Sequence, residues 1–199
     1  MCQARIGRFG LAGWPQPTIP PGWAHAMLIQ YGLFPLFMFG FLLTTFPKWL
    51  GRPELPRTRF LPVAGGVFGG YVLANVGLLD LGWLLKLGIA VMLAGYLIGV
   101  VTLAGVLRAS VAERKGHARS CLAALCLGTL GLAIFLAYLF GAPADCALLA
   151  IHIGTFGLLL PIYFSVMHRM LPFFTGNVVK GYAVIRPGWS LPVVWMLLL

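Results

Sequence analysis

Four histidines are the residues of this sequence best suited to chemistry, because neutral imidazole is a common ligand of copper, iron and haem iron. Three of them lie in or at the ends of strongly apolar runs: His25, His152 and His168. The fourth, His117, lies in the basic stretch ERKGHARS, where we expect it to be solvated. An ionisable side chain within a lipid-spanning segment is a functional hypothesis by default.

The spacing of the histidines predicts two separate sites. His168 follows His152 by sixteen residues, which is about 24 Å along a continuous helix with a rotation of about 160°. Pro161 lies between them and could kink the helix, but a kink does not remove that distance. Chain direction instead puts His25 and His152 at a similar depth near the outer face. We therefore expect an outer pair, His25 with His152, and an inner His168 beside Arg169.

Residues near the outer pair add possible ligands and space. Met27 carries a soft thioether that could ligate haem iron or Cu(I). Gly154 and Gly157 follow His152, and their lack of side chains could admit a planar macrocycle. The alternative is that His25 and His152 sit at the headgroup level in contact with water, and that Met27 only packs.

The inner site has alternatives of its own. His168 is flanked by Met167, Arg169 and Met170, so it could anchor the helix at the interface instead of binding a metal. Arg169 is expected to extend towards the interface, or to pair with a haem propionate through charge-assisted hydrogen bonds. The pattern identifies no catalytic residue.

Composition fixes the elements that must position these side chains. The chain has 199 residues, is 60% hydrophobic and only 9% charged, and has a mean hydropathy of +0.95. Soluble domains average about 25% charged residues. We therefore predict an all-α, polytopic transmembrane helix bundle over residues 23–199, preceded by a non-helical leader over residues 1–22.

Five apolar runs are long enough to cross a bilayer, which needs roughly 20 residues. They cover about residues 24–47, 60–79, 81–107, 121–141 and 147–171. A sixth begins near Trp189, and its eleven residues to Leu199 would rise only about 16 Å as a helix. The prediction is five full spans plus the start of a sixth, and we expect the chain to be part of a longer protein.

The net charge of +10 lies in the gaps between these runs. The positive-inside rule assigns the basic loops to the cytoplasm and explains the charge without nucleic-acid binding. All four carboxylates lie in loops: Glu54, Asp80, Glu113 and Asp145. A relay built on buried acids is therefore disfavoured.

Three stretches resemble one bacterial family. They are AHAM (Ala24–Met27), GFLLTTFPKWLGRPE (Gly40–Glu54) and HIGTFGLLLPIYFSVMHRMLPFF (His152–Phe174). Over about residues 23–188 the chain resembles NnrS, a family of multi-pass inner-membrane proteins that contain haem and copper. The resemblance implies haem b and copper as cofactors, a role in nitric oxide metabolism or the nitrosative-stress response, and nitric oxide as a ligand.

The same resemblance implies site residues. His25, His152 and Arg169 would bind the haem, and metal ligands would come from His25, His152, His168 and Met27. Two positions depart from the family pattern, because Trp23 and Ala26 stand where relatives carry His and Glu. The second hypothesis is a small-molecule or metal permease without haem, with helices broken at prolines. The third is a non-catalytic subunit whose histidines are satisfied by hydrogen bonds.

Overall fold

The computed structural model describes residues 18–113, 115–179 and 187–198, and this part of the chain is helical with no strand. Two of the helical segments have the wider π-helical turn, π1 (Leu28–Leu33) and π2 (Ile153–Leu159). The α-helices are α1 (Pro21–Met27), α2 (Phe34–Trp49), α3 (Arg57–Gly77), α4 (Gly82–Arg108), α5 (Gly116–Leu139), α6 (Ala144–His152), α7 (Leu160–Val178) and α8 (Ser190–Leu198). The predicted all-α class is confirmed.

Within the described residues, five helical stretches are long and apolar enough to cross a membrane. In chain order these five spans are Pro21–Trp49, Arg57–Gly77, Gly82–Arg108, Gly116–Leu139 and Ala144–Gly176. They match the five predicted runs, although most begin or end a few residues outside them. Helix α8 occupies the predicted sixth run up to Leu198. The protein is therefore a multi-pass membrane protein.

The predicted leader overlaps the first helix by two residues. Of that leader, residues 1–17 lie outside the described part of the chain. Residues 18–20 are non-helical, and α1 begins at Pro21. Proline suits this first position because the amide hydrogen that it lacks would have no acceptor within the helix.

Basic side chains gather at one end of the bundle, which we call the basic end. Helices α2 and α4 finish there, and α3 and α5 begin there. Its residues are Lys48, Arg52, Arg57, Arg59, Arg108, Lys115, Arg119 and Arg169. The opposite end carries Asp80 and Asp145 together with Lys86. This segregation is the pattern that the positive-inside rule describes.

Helices α3 and α4 pack backbone against backbone. A Cβ atom added to Gly66 would lie 2.6 Å from the Cα of Gly95, and one added to Gly70 would lie 2.5 Å from the carbonyl oxygen of Gly88. No side chain fits between the two helices at these positions. Small residues therefore let the backbones of α3 and α4 approach each other closely.

Pro35 removes a backbone hydrogen bond from the first span, and a tyrosine of the third span supplies a replacement donor. Pro35 has no amide hydrogen, and its ring crowds the carbonyl four residues earlier, which belongs to Tyr31. The wider turns of π1 precede this point. The hydroxyl of Tyr96 on α4 donates to the freed Tyr31 oxygen at 2.9 Å. A polar backbone group in the apolar interior thus regains a partner.

Tyr31 also joins the first span to the fifth. Its hydroxyl donates to the carbonyl oxygen of Ala150. Beside it, the Gln30 amide nitrogen donates to the Thr155 hydroxyl at 2.7 Å. Both tyrosines, Tyr31 and Tyr96, are fully buried. The first, third and fifth spans are therefore tied together at Tyr31, through its backbone carbonyl and its hydroxyl.

Candidate functional site

Two histidines meet at the basic end. The Nε2 atom of His117 and the Nδ1 atom of His168 are 2.9 Å apart, and the two rings stack with centroids 5.2 Å apart. The expectation that His117 is a solvated loop residue is wrong, because α5 begins at Gly116 and carries the half-buried His117 in its first turn. The sequence did contain a signal that His117 lies on a helix. His117 lies four and seven residues before Cys121 and Ala124, which are buried on the same helix face.

The hydrogen bond at the other ring nitrogen of His168, Nε2, determines which of the two histidines donates to the other. Ser190 donates its one hydroxyl hydrogen to the carbonyl oxygen of Pro187 at 2.8 Å. Its oxygen, 2.7 Å from His168 Nε2, must therefore accept the hydrogen that this nitrogen carries. His168 Nδ1 is left with a lone pair, and it accepts from the Nε2–H of His117.

Ser190 is held in place by the docking of α8. The Trp195 indole donates to the Ser120 hydroxyl at 2.7 Å, and Ser120 and Ser165 share a further hydrogen bond of 2.7 Å. Ser120 lies on α5 and Ser165 on α7, and both are buried. The start of α8 is thereby positioned against the same two helices that carry the histidines.

The histidine pair opens into a cleft of about 510 Å³, which we call the basic cleft. Its walls come from the α4–α5 loop, the first turns of α5, the middle of α7 and the start of α8. The lining residues are Glu113, Lys115, Gly116, His117, Arg119, His168, Arg169, Pro187, Gly188 and Leu191. Among the described lining residues, three fixed positive charges face one carboxylate.

Arg169 lies in this cleft and not beside His25 or His152. Its guanidinium stacks on the ring of Trp49, 4.7 Å from the ring centroid. Arg169 follows His152 by seventeen residues, about 25 Å along the fifth span. The expected extension of Arg169 towards the interface agrees with this position at the basic end.

His152 is exposed on the fifth span, and its hydrogen bonding suits a residue that coordinates a metal. Its Nδ1 atom lies 2.8 Å from the carbonyl oxygen of Leu148. A carbonyl can only accept, so Nδ1 carries the hydrogen and Nε2 keeps its lone pair. The ring stacks with Phe156, with centroids 6.4 Å apart. It lines a groove of about 270 Å³ whose other residues are Leu127, Ile153, Phe156, Gly157 and Leu198.

His25 is also exposed, on the neighbouring first span. Two hydrogen bonds join these spans in the described part of the chain, Gln30 with Thr155 and Tyr31 with Ala150. His25 precedes these contacts by five or six residues, about 8 Å of helix rise, whereas His152 lies level with them. The pairing of the two imidazoles on one iron stays a prediction.

The residues expected to assist the outer pair are used for packing. Met27 is fully buried in the hydrophobic core, on the side of α1 away from His25. A Cβ atom added to Gly154 would press on the Gln30 side chain and lie 3.1 Å from Tyr31. The expectation of open space at Gly154 is wrong, since protein atoms fill it. Gly157 does line the groove beside His152.

The stretch Gly40–Glu54 builds a helix end, not a histidine site. Gly51, with a φ of 65°, follows α2 in the left-handed conformation that glycine adopts readily. The Ser110 hydroxyl donates to the Leu50 carbonyl at 3.1 Å and fixes this end against the α4–α5 loop. Lys48 and Glu54 form an exposed ion pair at 3.2 Å.

No group of three or more His, Cys, Asp or Glu side chains that could hold a metal occurs among the described residues. Comparison with curated proteins and with solved structures gave no match. The family description "NnrS protein" matches residues 5–199. This match covers nearly all of the chain, including the three stretches that resemble NnrS. The chain therefore belongs to the NnrS family, whose members are membrane proteins linked to nitric oxide.

Proposed function

We propose that the protein is a haem- and copper-binding protein of the bacterial inner membrane that binds nitric oxide, in nitric oxide metabolism or the nitrosative-stress response. Family membership supports the link to nitric oxide. One observation supports both proposed metal sites, because it applies to a histidine at each of them. His152 and His168 each donate one ring N–H to a protein oxygen, which leaves the other ring nitrogen as an acceptor. Metal-binding histidines in proteins are almost always held in this way.

Copper is assigned to the pair at the basic end. His117 Nε2 and His168 Nδ1 converge, and imidazole nitrogen suits copper. Two bonds of about 2.0–2.1 Å at a tetrahedral angle would need a nitrogen separation of about 3.3 Å. The present 2.9 Å is short of this by only a few tenths of an ångström. The pair therefore fits as two of the ligands, after loss of the hydrogen on His117 Nε2.

Haem is assigned to the groove beside His152. His152, through its Nε2 atom, and His25 on the adjacent span would hold it. The burial of Met27 argues against its use as a ligand beside His25. Arg169 lies about 25 Å along the span from His152, so it belongs with the copper site and not with this haem. A bound metal ion with a free coordination position would bind a small neutral ligand such as nitric oxide.

The residues of the protein contribute orientation and exclusion of water. Leu148 holds the His152 ring in one tautomer, and Phe156 restricts its rotation. Leu127, Ile153 and Leu198 make the groove apolar, which suits an uncharged gas more than ions. At the other site, Ser190 holds His168 with Nδ1 facing His117.

A permease without haem is the second candidate. The discontinuous helices favour it, because π1 and π2 interrupt two neighbouring spans, and transporters bind substrates at such breaks. Against it, the described parts of the spans place Gln30, Thr155 and two tyrosines at the breaks, and none of these is charged.

An optical spectrum with metal analysis on the purified chain tests the proposal. We expect a Soret band that is lost in His152→Ala, reduced or shifted in His25→Ala and unchanged in His117→Ala. Copper should be lost in His117→Ala and His168→Ala and kept in His152→Ala. A wild-type protein with neither a Soret band nor copper would contradict the proposal and favour the permease.

A further inference from the structure

We propose that the basic cleft binds the phosphodiester headgroup of an anionic phospholipid, with an acyl chain in the adjoining groove along Trp49 and Phe173. The proposed copper ligands, His117 and His168, line the same cleft, but this inference rests on the charge of the cleft and on the adjoining groove and not on a bound metal. Basic pockets between transmembrane helices at the cytoplasmic side are suited to anionic headgroups.

Charge is the first argument. Among the described residues of the cleft, Lys115, Arg119 and Arg169 outnumber the one carboxylate, Glu113. Glu113 is exposed, whereas Lys115 and Arg169 are half-buried, so the deeper part of the cleft is the more positive one. Arginine matches phosphate oxygens with several N–H donors in a fixed plane.

The start of α5 adds to the positive field. Gly116 forms part of the cleft wall, and the first turn of α5 has neither a side-chain cap nor an acidic residue. Its leading amide groups carry the positive end of the helix dipole. The helix start alone would not make a site, but here it opens into a cavity lined by cationic side chains.

The adjoining groove favours a lipid over a soluble anion as the molecule that occupies the cleft. A second cavity of about 330 Å³ is lined by Trp49, Arg169, Met170 and Phe173. Arg169 lies in both cavities, so a charged compartment and an apolar one meet at its side chain. A molecule that fills both must have an anionic head and an apolar tail. Inorganic phosphate would fill only the first.

Native mass spectrometry of the metal-free, detergent-purified chain tests the proposal. The probes are phosphatidylglycerol and phosphatidylcholine with the same acyl chains, and inorganic phosphate is the competitor. We expect the first phosphatidylglycerol to bind at least about tenfold more tightly than phosphatidylcholine. Arg119→Gln and Lys115→Gln should each weaken that binding about fivefold, as expected for the loss of one basic group near the membrane surface.

Arg57→Gln is the matched control, because it removes the same charge at the basic end but lies outside both cavities. Arg169→Gln tests the junction, and Arg169→Lys keeps its charge but not its stacking on Trp49. Should Arg169→Gln fail to fold, the exposed Arg119 still tests the headgroup site.

Three results would overturn the proposal. The first is equal binding of the two lipids. The second is an equal loss of phosphatidylglycerol binding in Arg57→Gln and Arg119→Gln, which would indicate bulk charge only. The third is a cleft that binds inorganic phosphate but shows no preference for phosphatidylglycerol, which would make the occupant a soluble anion. Chelated protein is used throughout, so a failure of the copper assignment leaves this test unaffected.

Discussion

The Nε2–H of His117 points at the Nδ1 lone pair of His168, 51 residues further along the chain and 2.9 Å away. Ser190 gives this bond its direction, since it accepts the one N–H that His168 carries, at Nε2. A metal ion that replaces the shared hydrogen would find both nitrogens already facing one another. Ser190 is then a positioning residue for the proposed copper site.

Replacing Ser190 with alanine should weaken copper binding about 10- to 100-fold, the range found when the outer partner of a ligating histidine is removed. His168 would lose its oriented tautomer, while both imidazoles remain. Competition with a copper chelator measures the affinity. Thr175→Ala is the control, because Thr175 is half-buried and its hydroxyl donates within its own helix, to the Leu171 carbonyl. An unchanged affinity in Ser190→Ala would show that Ser190 does not orient the ligand.

Tyr96→Phe should destabilise the fold by about 1–2 kcal/mol. It leaves the carbonyl oxygen of Tyr31 without its donor in the apolar interior, and single hydrogen bonds within membranes are worth up to about this amount. Unfolding in mixed detergent micelles measures the change. Tyr163→Phe removes a hydroxyl from an exposed position and should have no effect. Equal losses in the two variants would argue against the hydrogen bond.

Pro35→Ala should reduce the effect of Tyr96→Phe. Alanine restores an amide hydrogen that can bond to the Tyr31 carbonyl within the helix, so the tyrosine hydroxyl is no longer its only donor. A double-mutant cycle should give a coupling of about 0.5–1 kcal/mol between the two positions. Additive effects would mean that Pro35 does not free this carbonyl.

Gly70→Ala should destabilise the protein by about 1–3 kcal/mol, as overpacking does in tight interfaces. The new methyl group would meet the backbone of Gly88 and Met92 at about 2.5 Å. Gly69→Ala is the neighbouring control, because a Cβ there has nothing within 4 Å. That variant should be as stable as the wild type or slightly more stable, since alanine favours the helix. Similar losses at Gly69 and Gly70 would point to lipid contact instead of helix packing.

The spans could be predicted from composition because apolar runs mark the lipid core directly. Their ends could not, since a helix continues into the interface beyond its apolar part. Arg57 and Arg108 remain helical although their charge placed them in predicted loops. Prolines 35 and 161 signalled a break, but the π-helical turns near them are stabilised by partners such as Tyr96, which no local pattern reveals.

Only part of the inner site could be predicted from the sequence. His168 was expected to lie apart from the outer histidines, and the structure places it at the basic end. Its partner was missed, because a histidine among Glu113, Lys115 and Arg119 looks like a loop residue until α5 is known to begin at Gly116. Ser190 lies 22 residues beyond His168, on a helix whose docking depends on Trp195. Such contacts follow from tertiary packing alone.

The bonds of Tyr31 have a consequence for the order of assembly. Its partners are made later than Tyr31 itself, Tyr96 with the third span and Ala150 with the fifth. During synthesis the Tyr31 hydroxyl of the first span therefore lacks its acceptor, the Ala150 carbonyl, until more than a hundred further residues have been inserted. The early spans should remain loosely associated, and open to membrane chaperones, until the fifth helix arrives.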